Sequence, residues 1–478
     1  MPDQADPIRS ILHAHPTGPI HLMGIGGFGM AGLAGLLHAR GYCVSGCDLN
    51  ENRMTQRLQK EGIPAAIGHT PDHLAPRHPV PGASGDTAHP APVMLVRSSA
   101  VPEQQAELVA ARQRGIPVYR RGELFPALLR DEYTVAISGT HGKTTTTALC
   151  AHAVRSVAAA APTFFIGGEW EEDGRVFERG DYPVTLVEAD ESDGTLQHYQ
   201  PDIALITGVD YDHMEHFTDE RSFMNVFETF IRQARETVIG CGDDDRLLRL
   251  LPDPSETWLY GLSPAAQMRA TEIVARAGHT EFTVVCDGSD LGRYTLPIPG
   301  TYNIINALGA LSVVRQLGLS VTRAAEGLAS FQPVRRRFEQ VGQWKGVPVY
   351  SDYAHHPTEI RALMVAVHRH VPGRLLVIFQ PHRYTRTRAL GTEFPAAFKG
   401  ADSVILAPVY AASEQPIDGG RIDDLAKHFA DYGTIPFTQA NDLDHAWTLF
   451  DQMAREGDTL FLIGAGDIEQ LANAVEPV

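Results

Sequence analysis

Lysine, cysteine and long apolar runs are all scarce in this sequence. Only five of its 478 residues are lysine, and Lys143 stands alone between positions 61 and 344. A lysine isolated in this way suggests a specific task. No apolar run approaches the roughly 20 residues that a membrane helix needs, and the polar N-terminus lacks the pattern of an export signal. We therefore expect a cytoplasmic protein with no membrane partner.

The five cysteines are Cys43, Cys47, Cys150, Cys241 and Cys286, and they form no CxxC pair. Cys43 and Cys47 are four residues apart, but neither a second pair nor a nearby histidine cluster completes the pattern of a zinc site. We therefore expect free thiols, buried or partly buried, in a reducing cytosol.

Acidic residues outnumber basic ones by 58 to 40, which gives a formal net charge of −18. Such a balance disfavours broad contact with a phosphate backbone, so we expect no nucleic-acid partner. A small anionic substrate is still compatible, because it needs only a local group of hydrogen-bond donors. The composition, 43% hydrophobic and 21% charged, is typical of a soluble globular enzyme.

Strand-like and helix-like segments alternate along the chain, which predicts an α/β fold with mostly parallel, doubly wound sheets. New units begin near Tyr133 and near Val334, so we expect about three domains. The period-two pattern from Thr271 to Leu296 predicts antiparallel strands, and the Pro- and Gly-rich stretch from Pro76 to Pro92 predicts a surface loop. Ligands of parallel sheets gather at the carboxyl ends of the strands, so the informative residues should follow each apolar run.

The strongest motif is SGTHGKTTTT, which runs from Ser138 to Thr147 between a strand and a helix. Its glycines let backbone N–H groups close around phosphate oxygens, and the helix N-terminus adds partial positive charge. Lys143 is suited to bridge the outer phosphates, and the Thr144 hydroxyl is suited to hold Mg²⁺. Ile137 occupies the first glycine position of the strict GxxxxGK[ST] pattern. The motif nevertheless predicts a nucleotide site.

Two further strand ends carry residues that suit magnesium. Glu188 ends the strand-like VTLVE, and Asp212 and His213 follow the strand-like IALITGV. A single histidine among 21 is usually solvated. A phosphate loop, an acid and a histidine at three strand ends nevertheless predict a magnesium cluster.

The N-terminal GIGGFGM places the GxGxxG pattern at Gly24, Gly26 and Gly29, and Asp48 closes the next strand. Alone this pattern is a weak signal that also fits a dinucleotide dehydrogenase. Two phosphate-binding loops in separate domains instead favour two phosphorylated ligands.

The segment FQPHRYTRTR places His382, Arg383, Arg386 and Arg388 directly after a buried strand. Arginine forks suit a carboxylate or a phosphate. Cations at a helix N-terminus oppose the macrodipole, so this cluster predicts an anion-binding site.

Taken in order, GIGGFGM, GTHGKTTT, EADESD, DHM, YNIINALGAL, RRF, DYAHHPTEI, FQPHRYTRTR and GAGD resemble the Mur ligases, from about Ile20 to Asp467. The likeness is strongest to the alanine-adding branch, because ligases that add later residues carry a carbamylated lysine after the DH motif. No lysine occurs here between 144 and 344. The resemblance implies a Rossmann-like UDP-sugar domain over 1–130, a central ATPase domain over 131–333 and a Rossmann-like amino-acid domain over 334–478.

The resemblance also implies an activity, the ATP-dependent ligation of L-alanine to the carboxylate of UDP-N-acetylmuramate in peptidoglycan precursor synthesis. ATP would convert the carboxylate into an acyl phosphate, and the amine of L-alanine would then attack it. The nearest alternative is the recycling ligase that joins a whole murein tripeptide to the same sugar nucleotide. An NAD-dependent oxidoreductase and a catalytically silent binding module are further alternatives, but both leave the GKT loop, Glu188 and His213 without a role. The resemblance leaves open whether the chain is a monomer or a homodimer.

The resemblance assigns roles to individual residues. The catalytic residues are Lys143, Glu188, His213 and Arg337, and the magnesium ligands are Thr144, Glu188 and His213. The ATP contacts are Gly139, Thr140, His141, Gly142, Lys143, Thr144, Thr145, Asn303, Asn306 and Asp352. The UDP-sugar contacts are Gly24, Gly26, Gly27, Gly29, Met30, Asp48, Ser98 and Ser99. The amino-acid pocket is lined by Tyr353, His382, Arg383 and Arg386.

Four residues depart from the family pattern. Gly208 stands where asparagine is usual, Tyr302 where histidine is common, Ser351 where a second aspartate is usual, and Ser413 where glycine is usual. The change at Gly208 bears on nucleotide contacts from its loop, whereas Ser351 leaves the neighbouring Asp352 intact.

Overall fold

The computed structural model describes residues 6–14, 17–76, 90–171, 173–214, 216–252, 256–276, 278–371, 373–412 and 414–476. Most of the predicted loop from Pro76 to Pro92, and also Ser413, lie outside these residues.

The chain forms two compact units. The first comprises Met1–Ser138, Ala158–Leu205 and Val226–Val238, and the second comprises Gly139–Val157, Ile206–Asn225 and Ile239–Val478. The domain boundaries expected after residues 130 and 333 stay predictions.

The helices are α1 (Pro7–His13), α2 (Phe28–Ala39), α3 (Arg53–Lys60), α4 (Ala106–Gln113), α5 (Arg121–Leu129), α6 (Lys143–Val157), α7 (Glu220–Arg232), α8 (Asp245–Leu248), α9 (Thr301–Gln316), α10 (Val321–Gly327), α11 (Pro357–His370), α12 (Tyr384–Leu390), α13 (Phe394–Ala397), α14 (Ile422–Tyr432) and α15 (Leu443–Met453). Short 3-10 helices lie at Pro71–Leu74, Thr195–His198, Leu328–Ser330 and Asp467–Ala474. No helix in these ranges combines the length and the apolarity needed to cross a bilayer.

The strands are β1 (Ile20–Met23), β2 (Val44–Asp48), β3 (Ala65–Ile67), β4 (Met94–Arg97), β5 (Val118–Arg120), β6 (Thr134–Ser138), β7 (Pro162–Trp170), β8 (Arg175–Glu178), β9 (Tyr182–Glu188), β10 (Ile203–Ile206), β11 (Thr237–Cys241), β12 (Thr257–Gly261), β13 (Met268–Arg276), β14 (His279–Cys286), β15 (Ser289–Leu296), β16 (Glu339–Trp344), β17 (Val347–Asp352), β18 (Leu375–Phe379), β19 (Ser403–Leu406), β20 (Phe437–Gln439) and β21 (Thr459–Ile463).

In the first unit, five parallel strands form a sheet in the order β3-β2-β1-β4-β5. The central strand β1 pairs through Ile20 with Val44 on one side and with Met94 on the other. All four of its residues are buried, as expected for a strand that is covered on both faces. The chain turns directly from β1 into α2 through the glycines of GIGGFGM.

A second group of strands in the first unit has the order β8-β7-β9-β6-β10. The predicted strand VTLVE is confirmed as part of β9, which pairs in parallel with β6 and β7. The sequence prediction missed β7 and its antiparallel partner β8. Gly167 and Gly168 interrupt the apolar run of β7, and its pairing with β8 is irregular between Phe165 and Trp170.

In the second unit, α6 and α9 pack together beside the strand group β15-β14-β13-β12. The antiparallel strands predicted between Thr271 and Leu296 are confirmed, since β14 pairs antiparallel with both β13 and β15. A further sheet has the order β16-β17-β21-β18-β19-β20, in which β16 pairs antiparallel with β17 and the other neighbouring strands pair in parallel. Proline at the first position of α11 is confirmed as well.

The cysteines are free, as predicted, and four of the five are buried. The expectation that no histidine cluster lies near Cys47 is wrong. The fold brings the Nδ1 atom of His69 to 3.0 Å from the Cys47 sulfur and joins His21 and His73 to the same group. Sequence spacing could not show this, because the four side chains come from β1, β2 and the segment that follows β3.

Gly46 in β2 gives a stability prediction. A Cβ atom at this position would lie 2.5 Å from the carbonyl oxygen of Leu22 and 2.5 Å from Cδ1 of Ile25. Gly46→Ala should therefore lower the free energy of unfolding by about 1–3 kcal/mol, the usual cost of overpacking. Thermal and urea unfolding followed by circular dichroism measure it. The control is Gly242→Ala, whose Cβ would have no atom nearer than 3.5 Å. Equal stability of both variants would contradict the prediction.

Candidate active site

The predicted phosphate loop precedes α6, which begins at Lys143. Gly139 and Gly142 adopt φ of 132° and 81°, a backbone region that residues with a Cβ atom rarely occupy. A Cβ atom on Gly142 would also lie 2.6 Å from Oδ1 of Asn306 on α9. The two glycines are therefore required by the shape of the loop, and the predicted ATP contact Asn306 packs directly against it.

Lys143 folds back over this loop. Its ammonium donates to the carbonyl oxygens of Gly139 at 2.6 Å and Thr140 at 3.3 Å. The neighbouring Thr144 and Thr145 are buried at the start of α6. The helix N-terminus and the ammonium thus meet at one loop, which is the arrangement that favours bound phosphate.

The segment after β10 anchors the loop from the other side. The Thr140 hydroxyl donates to the carbonyl oxygen of Asp210 and accepts from its backbone N–H, both at 2.9 Å. The Thr140 N–H donates to the carbonyl oxygen of Gly208, also at 2.9 Å. The departure at Gly208 therefore leaves a backbone contact to the loop in place. An added Cβ there would lie 3.0 Å from a carboxylate oxygen of Asp244.

The Asp210 carboxylate collects several donors. It accepts from the Thr358 hydroxyl at 2.7 Å and from the Arg246 guanidinium at 2.6 Å. Nε2 of His141 lies 3.5 Å from it. Burial opposes the charge on Asp210, but the nearby His141 imidazole and the hydrogen bond from Thr358 hold its pKa well below the usual range. The carboxylate is therefore ionised at neutral pH.

His141 of the phosphate loop lies between two carboxylates. Its Nδ1 atom lies 3.2 Å from Oε1 of Glu359, on the side opposite Asp210. Burial disfavours the imidazolium, but the charges of Glu359 and Asp210 outweigh it and raise the pKa of His141 to about 9. The pKa of Glu359 is held well below its usual value, against burial, by His355 and His141. The loop therefore carries a second cation beside Lys143 at neutral pH.

The remaining predicted ATP contacts of the second unit are buried. The Asn306 side chain donates to Oδ1 of Asn303 at 3.3 Å. The carboxylate of Asp352 accepts from the backbone N–H groups of Phe338 and Ala354, both at 2.8 Å. Burial raises the pKa of Asp352 to about 6, despite these bonds and the nearby Arg337. Through the bond from Phe338, Asp352 connects the DYAHH motif, to which it belongs, with the RRF motif.

The arginine cluster lies at the start of α12. Arg386 is buried and grips the Asp212 carboxylate with two bonds, Nε to Oδ1 and Nη2 to Oδ2, each of 3.0 Å. Its third nitrogen lies 2.9 Å from Nδ1 of His382. Burial opposes the charge on Asp212, but Arg386 holds its pKa well below the usual range. The fork of Arg386, predicted for the amino acid, therefore faces Asp212 in this structure.

The other residues predicted for the amino-acid pocket lie around Arg386. The His382 ring stacks on Tyr410 and lies 5.7 Å from the ring of His355. His355 in turn lies 5.5 Å from Tyr353. Burial, with help from the nearby cations, lowers the pKa of His382 to about 2, and burial lowers that of His355 to about 4. Both imidazoles are therefore neutral at physiological pH.

Arg383 and Arg337 are the two further arginines predicted for the site. Arg383 adopts φ of 71°, and its guanidinium lies 3.4 Å from Glu414, which is long for an ion pair. The Arg337 guanidinium lies over the Tyr353 ring, 5.1 Å from its centroid. Arg336, which was not predicted, lies over the same ring at 4.9 Å.

In the first unit, the glycine loop and its predicted acid come together. The backbone N–H of Gly26 donates to the Asp48 carboxylate at 2.9 Å. A Cβ on Gly24 would lie 2.9 Å from Cβ of Ser98. Ser99 is exposed next to Ser98, and Gly27 directly precedes α2. Met30, also a predicted UDP-sugar contact, is buried with only 2% of its surface exposed, and that contact stays a prediction.

Arg121 lies beside the same loop and was missed from the sequence. Its guanidinium is 3.1 Å from the position a Cβ on Gly29 would take, and it pairs with Asp190 at 3.0 Å. The charge of Asp190 raises the pKa of Arg121 despite its burial. The only sequence signal was an arginine directly after the short strand VYR. The predicted magnesium ligand Glu188, also of this unit, accepts from the N–H of Gly167 at 2.6 Å.

Asp210, Glu359 and His355 were not predicted from the sequence. Each belongs to a motif that was noticed, since Asp210 precedes DHM and the other two lie in DYAHHPTEI. The signal that could have found Asp210 is a polar residue shortly after the buried strand β10, the same signal that pointed to Asp212. His213, the predicted metal ligand, adopts a left-handed backbone with φ of 59° beside Asp212.

The phosphate loop with its helix and the nearby arginine cluster define a site for transfer chemistry on anionic groups. Three family models cover most of the chain. The catalytic domain of the Mur ligase family matches residues 19–133, the Mur ligase middle domain matches 137–314, and the Mur ligase glutamate ligase domain matches 336–466. The chain belongs to the Mur ligase family. The NAD-dependent oxidoreductase considered from the glycine motif thereby loses its support.

Curated relatives match over nearly the whole length. The UDP-N-acetylmuramate–L-alanine ligase of Methylocella silvestris is 38% identical over 474 residues, which covers 96% of this chain and 97% of the relative. The enzyme of the same name from Brucella anthropi is 36% identical and covers 96% of each chain. The predicted family resemblance is therefore confirmed.

Solved structures agree with this assignment. The UDP-N-acetylmuramate–alanine ligase of Thermotoga maritima is 27% identical and superposes with a TM-score of 0.77, covering 95% of this chain and 97% of that one. A murein peptide ligase from Psychrobacter arcticus shares the fold at 21% identity, with a TM-score of 0.69 and coverage of 96% and 98%. The predicted class is confirmed as the three-domain Mur ligase fold, α/β with mostly parallel sheets.

The raised pKa of His141 predicts a pH-dependent stability. A folded pKa of about 9 against 6.5 in the unfolded chain gives a stabilisation that is complete below pH 6.5. It is lost as the pH rises through about 9, while Asp210 and Glu359 stay ionised. His141→Gln should therefore lower the thermal midpoint near pH 6 and have little effect near pH 10.

Thermal scans of wild type and variant across this range test the prediction. His38→Gln removes an exposed histidine and serves as the control for loss of a histidine elsewhere. A difference between wild type and His141→Gln that stays constant from pH 6 to pH 10 would show that the imidazolium is not what stabilises the loop.

Proposed function

We propose that this chain is an ATP-dependent ligase that joins L-alanine to the carboxylate of UDP-N-acetylmuramate through an acyl phosphate, in the synthesis of peptidoglycan precursors. Support comes from relatives of that name that are 36–38% identical over 96% of the chain. The observation that carries the proposal is the short segment from Asp210 to Asp212. It holds the phosphate loop through Thr140 at one end and Arg386 at the other.

This segment matters because acyl-phosphate chemistry needs two sites close together. The group that takes up the γ-phosphoryl must then be attacked by an amine, so ATP and the amino acid have to approach one carbonyl carbon. Two residue steps span at most about 7 Å of chain. A phosphate loop and an arginine cluster held at the two ends of such a segment suit this requirement.

Phosphoryl transfer asks the protein mainly for positioning and for stabilisation of charge. In this proposal Lys143 and Arg337 stabilise the phosphates, and the imidazolium of His141 adds a third cation at the loop. The remaining contacts of ATP are the loop residues Gly139, Thr140, Gly142, Thr144 and Thr145, with Asn303 and Asn306 beside them and Asp352 at the ribose.

The proposal includes Mg²⁺ on Thr144, Glu188 and His213. The Thr144 hydroxyl and the Glu188 carboxylate are oxygen donors of the kind that Mg²⁺ prefers, so these residues fit the ion, whereas an imidazole is a less usual ligand for it. A bound Mg²⁺ would offset the charge of the transferred phosphoryl group. Glu188 keeps one oxygen on the N–H of Gly167, which fixes the orientation of the carboxylate.

The UDP-sugar is assigned to the glycine loop of the first unit, with Gly24, Gly26, Gly27 and Gly29 around the diphosphate. Asp48, Ser98 and Ser99 flank the loop as hydrogen-bonding groups. To these we add Arg121, whose guanidinium lies beside Gly29 at the start of α2 and carries a charge suited to a diphosphate. Met30 belongs to the same assignment, although its side chain is buried.

The amino-acid pocket is assigned to Tyr353, His382, Arg383 and Arg386. His355 and His382 are neutral, so the positive charges that suit a carboxylate are those of Arg383, which lies 3.4 Å from Glu414, and Arg386, which pairs with Asp212. The same proposal includes a cytoplasmic location, domain boundaries near 130 and 333, and a monomeric or homodimeric state, each carried over from the sequence.

The nearest alternative, a recycling ligase for a murein tripeptide, differs only in the amine substrate. Phosphate release from ATP with UDP-N-acetylmuramate and L-alanine, compared with the tripeptide, tests the two. Release with L-alanine supports the proposal, and release with the tripeptide alone overturns it.

Lys143→Ala tests the nucleotide assignment. Loss of a positioned donor to the transferred phosphoryl should lower the turnover rate about 100- to 1,000-fold. Binding of UDP-N-acetylmuramate, measured by calorimetry, should be unchanged, because the variant leaves the first unit intact. Lys427→Ala removes an exposed lysine that pairs with Asp424 and is the control. Near-normal phosphate release by Lys143→Ala would refute the role of this loop.

Arg383→Lys tests the amino-acid pocket. Lysine keeps the charge but loses the planar fork, so the alanine requirement should rise and the maximal rate fall. The terms for ATP and UDP-N-acetylmuramate should barely change in steady-state kinetics that vary each substrate in turn. Arg388→Lys, an exposed neighbour on α12, is the control.

Arg386→Lys should differ from Arg383→Lys in a second measurement. It should raise the alanine requirement and also lower the free energy of unfolding by about 1.5–3 kcal/mol, because it breaks a charge-assisted bond to Asp212. A kinetic defect of Arg383→Lys in the ATP or sugar-nucleotide term would move this arginine to a different anion.

A further inference from the structure

A second polar cluster is buried in the first unit, apart from every residue assigned to the proposed reaction. It lies between the sheet of β1 and β2 and the covering helix α4. Its members are His21 on β1, Cys47 on β2, His69 after β3, His73 in the 3-10 helix Pro71–Leu74, and Glu107 on α4. His21 is 2% exposed, and Cys47 and Glu107 are fully buried. A carboxylate in such a place needs strong compensation.

The histidines and the cysteine converge on the Glu107 carboxylate. Its oxygens lie 2.9 Å from Nε2 of His21, 3.2 Å from Nδ1 of His73 and 3.4 Å from the Cys47 sulfur. These four ligand atoms all lie within 4.8 Å of one another. Within the described ranges, Glu107 makes its ion pairs with histidines and has no lysine or arginine partner.

These separations suit a tetrahedral cation. Zinc binds nitrogen and oxygen at about 2.0–2.2 Å and sulfur at about 2.3 Å, so neighbouring ligand atoms lie roughly 3.3–3.7 Å apart. The short contact between His21 and Glu107 is not an ordinary hydrogen bond. Nε2 of His21 makes no aligned hydrogen bond within the described residues, although the carboxylate is only 2.9 Å away.

The other nitrogen of His21 completes this picture. Nδ1 lies 2.9 Å from the hydroxyl of Ser45. A histidine that binds a metal through one nitrogen usually donates the N–H of the other to a neighbouring acceptor, which fixes the ring. If Nδ1 donates to Ser45, the lone pair of Nε2 points at the Glu107 carboxylate, and a cation between the two removes the repulsion.

A cavity borders the cluster on the side of His21 and His73. Its volume is about 230 Å³, and it is lined by His21, Ser45 and His73, together with Cys43.

Two imidazoles, a thiol and a carboxylate form a mixed nitrogen, sulfur and oxygen donor set, which suits zinc and not magnesium. This distinguishes the cluster from any magnesium site at the phosphate loop.

We propose that His21, Cys47, His73 and Glu107 form a structural zinc site that ties β1, β2 and α4 together. All four positions are filled by protein ligands, as in structural sites, which keep no open position for substrate. Nδ1 of His69 lies 3.0 Å from the Cys47 sulfur, so in this site its N–H would donate to the thiolate and orient it. Binding converts the Cys47 thiol to a thiolate, and its proton leaves to solvent.

The test uses the full-length chain and metal ions alone. The protein is incubated with Zn²⁺ in excess Mg²⁺, dialysed against Mg²⁺, and its zinc content is measured by plasma mass spectrometry. We expect about one zinc per chain. In a parallel sample, Co²⁺ replaces zinc and should give the intense visible bands of a tetrahedral site with a thiolate-to-cobalt charge-transfer band.

Variants locate the ion. Cys47→Ser should abolish the charge-transfer band. Ser45→Ala, which removes the hydrogen-bond partner of a ligand, should weaken zinc binding about 10- to 100-fold. His73→Ala removes a ligand itself and should weaken zinc binding at least as much. Cys43→Ser is the matched control, since this cysteine lines the same cavity, and it should keep both the zinc and the band.

The outcomes are decisive even if a variant fails to fold. Absence of retained zinc together with absence of the thiolate band in the wild-type chain overturns the proposal and leaves a hydrogen-bonded cluster held by protons. A band that persists in Cys47→Ser, or disappears in Cys43→Ser, also overturns it, because the ion then lies elsewhere. Loss of catalytic activity is not used as a readout, so the result is independent of the proposed ligase function.

Discussion

The second unit depends on the acidic segment that follows β10. Asp210 fixes Thr140 of the phosphate loop through paired hydrogen bonds, and two residues later Asp212 holds Arg386 in a bidentate ion pair. The loop and the arginine cluster are more than 200 residues apart in sequence. This segment joins them because it contacts both. Three consecutive residues therefore determine where the two halves of the proposed chemistry lie.

Burial alone does not determine whether a side chain in this unit is ionised. The groups that face the side chain matter as well. Asp212 and Asp352 are both buried, yet the pKa of Asp212 lies well below its usual range and that of Asp352 is raised to about 6. Asp212 faces a guanidinium fork, whereas Asp352 accepts hydrogen bonds from the backbone N–H groups of Phe338 and Ala354. The histidines divide in the same way, since His141 between two carboxylates is charged and His382 beside arginines is neutral.

Much of the fold could be predicted because its strands are apolar runs that end in recognisable motifs. VTLVE, LLVIF and TLFLI are strands as expected, and the glycines of the phosphate loop predicted its shape. The strands β7 and β8 could not be predicted, because two glycines interrupt the pattern of β7. Asp210 and Arg121 were missed for a different reason. The contact of Asp210 with Thr140 spans 70 positions and that of Arg121 with Asp190 spans 69, and no local pattern records such contacts.

The cluster around Glu107 illustrates the same limit. Its members span residues 21 to 107, and only Cys47 had been considered as a ligand. Sequence spacing detects ligand sets on one loop or helix, whereas this set is assembled from two strands, a 3-10 helix and a helix. Arg121 and the Glu107 cluster therefore belong to a class of feature that only tertiary structure reveals.

The ion pair of Asp212 and Arg386 has an evolutionary consequence. Both side chains are almost fully buried, so a neutral replacement of either one strands an opposite charge in the interior. Replacing one member alone is therefore far more harmful than replacing both together with side chains of matching shape. Across sequences with this fold, positions 212 and 386 should vary jointly or not at all, although 174 positions separate them along the chain.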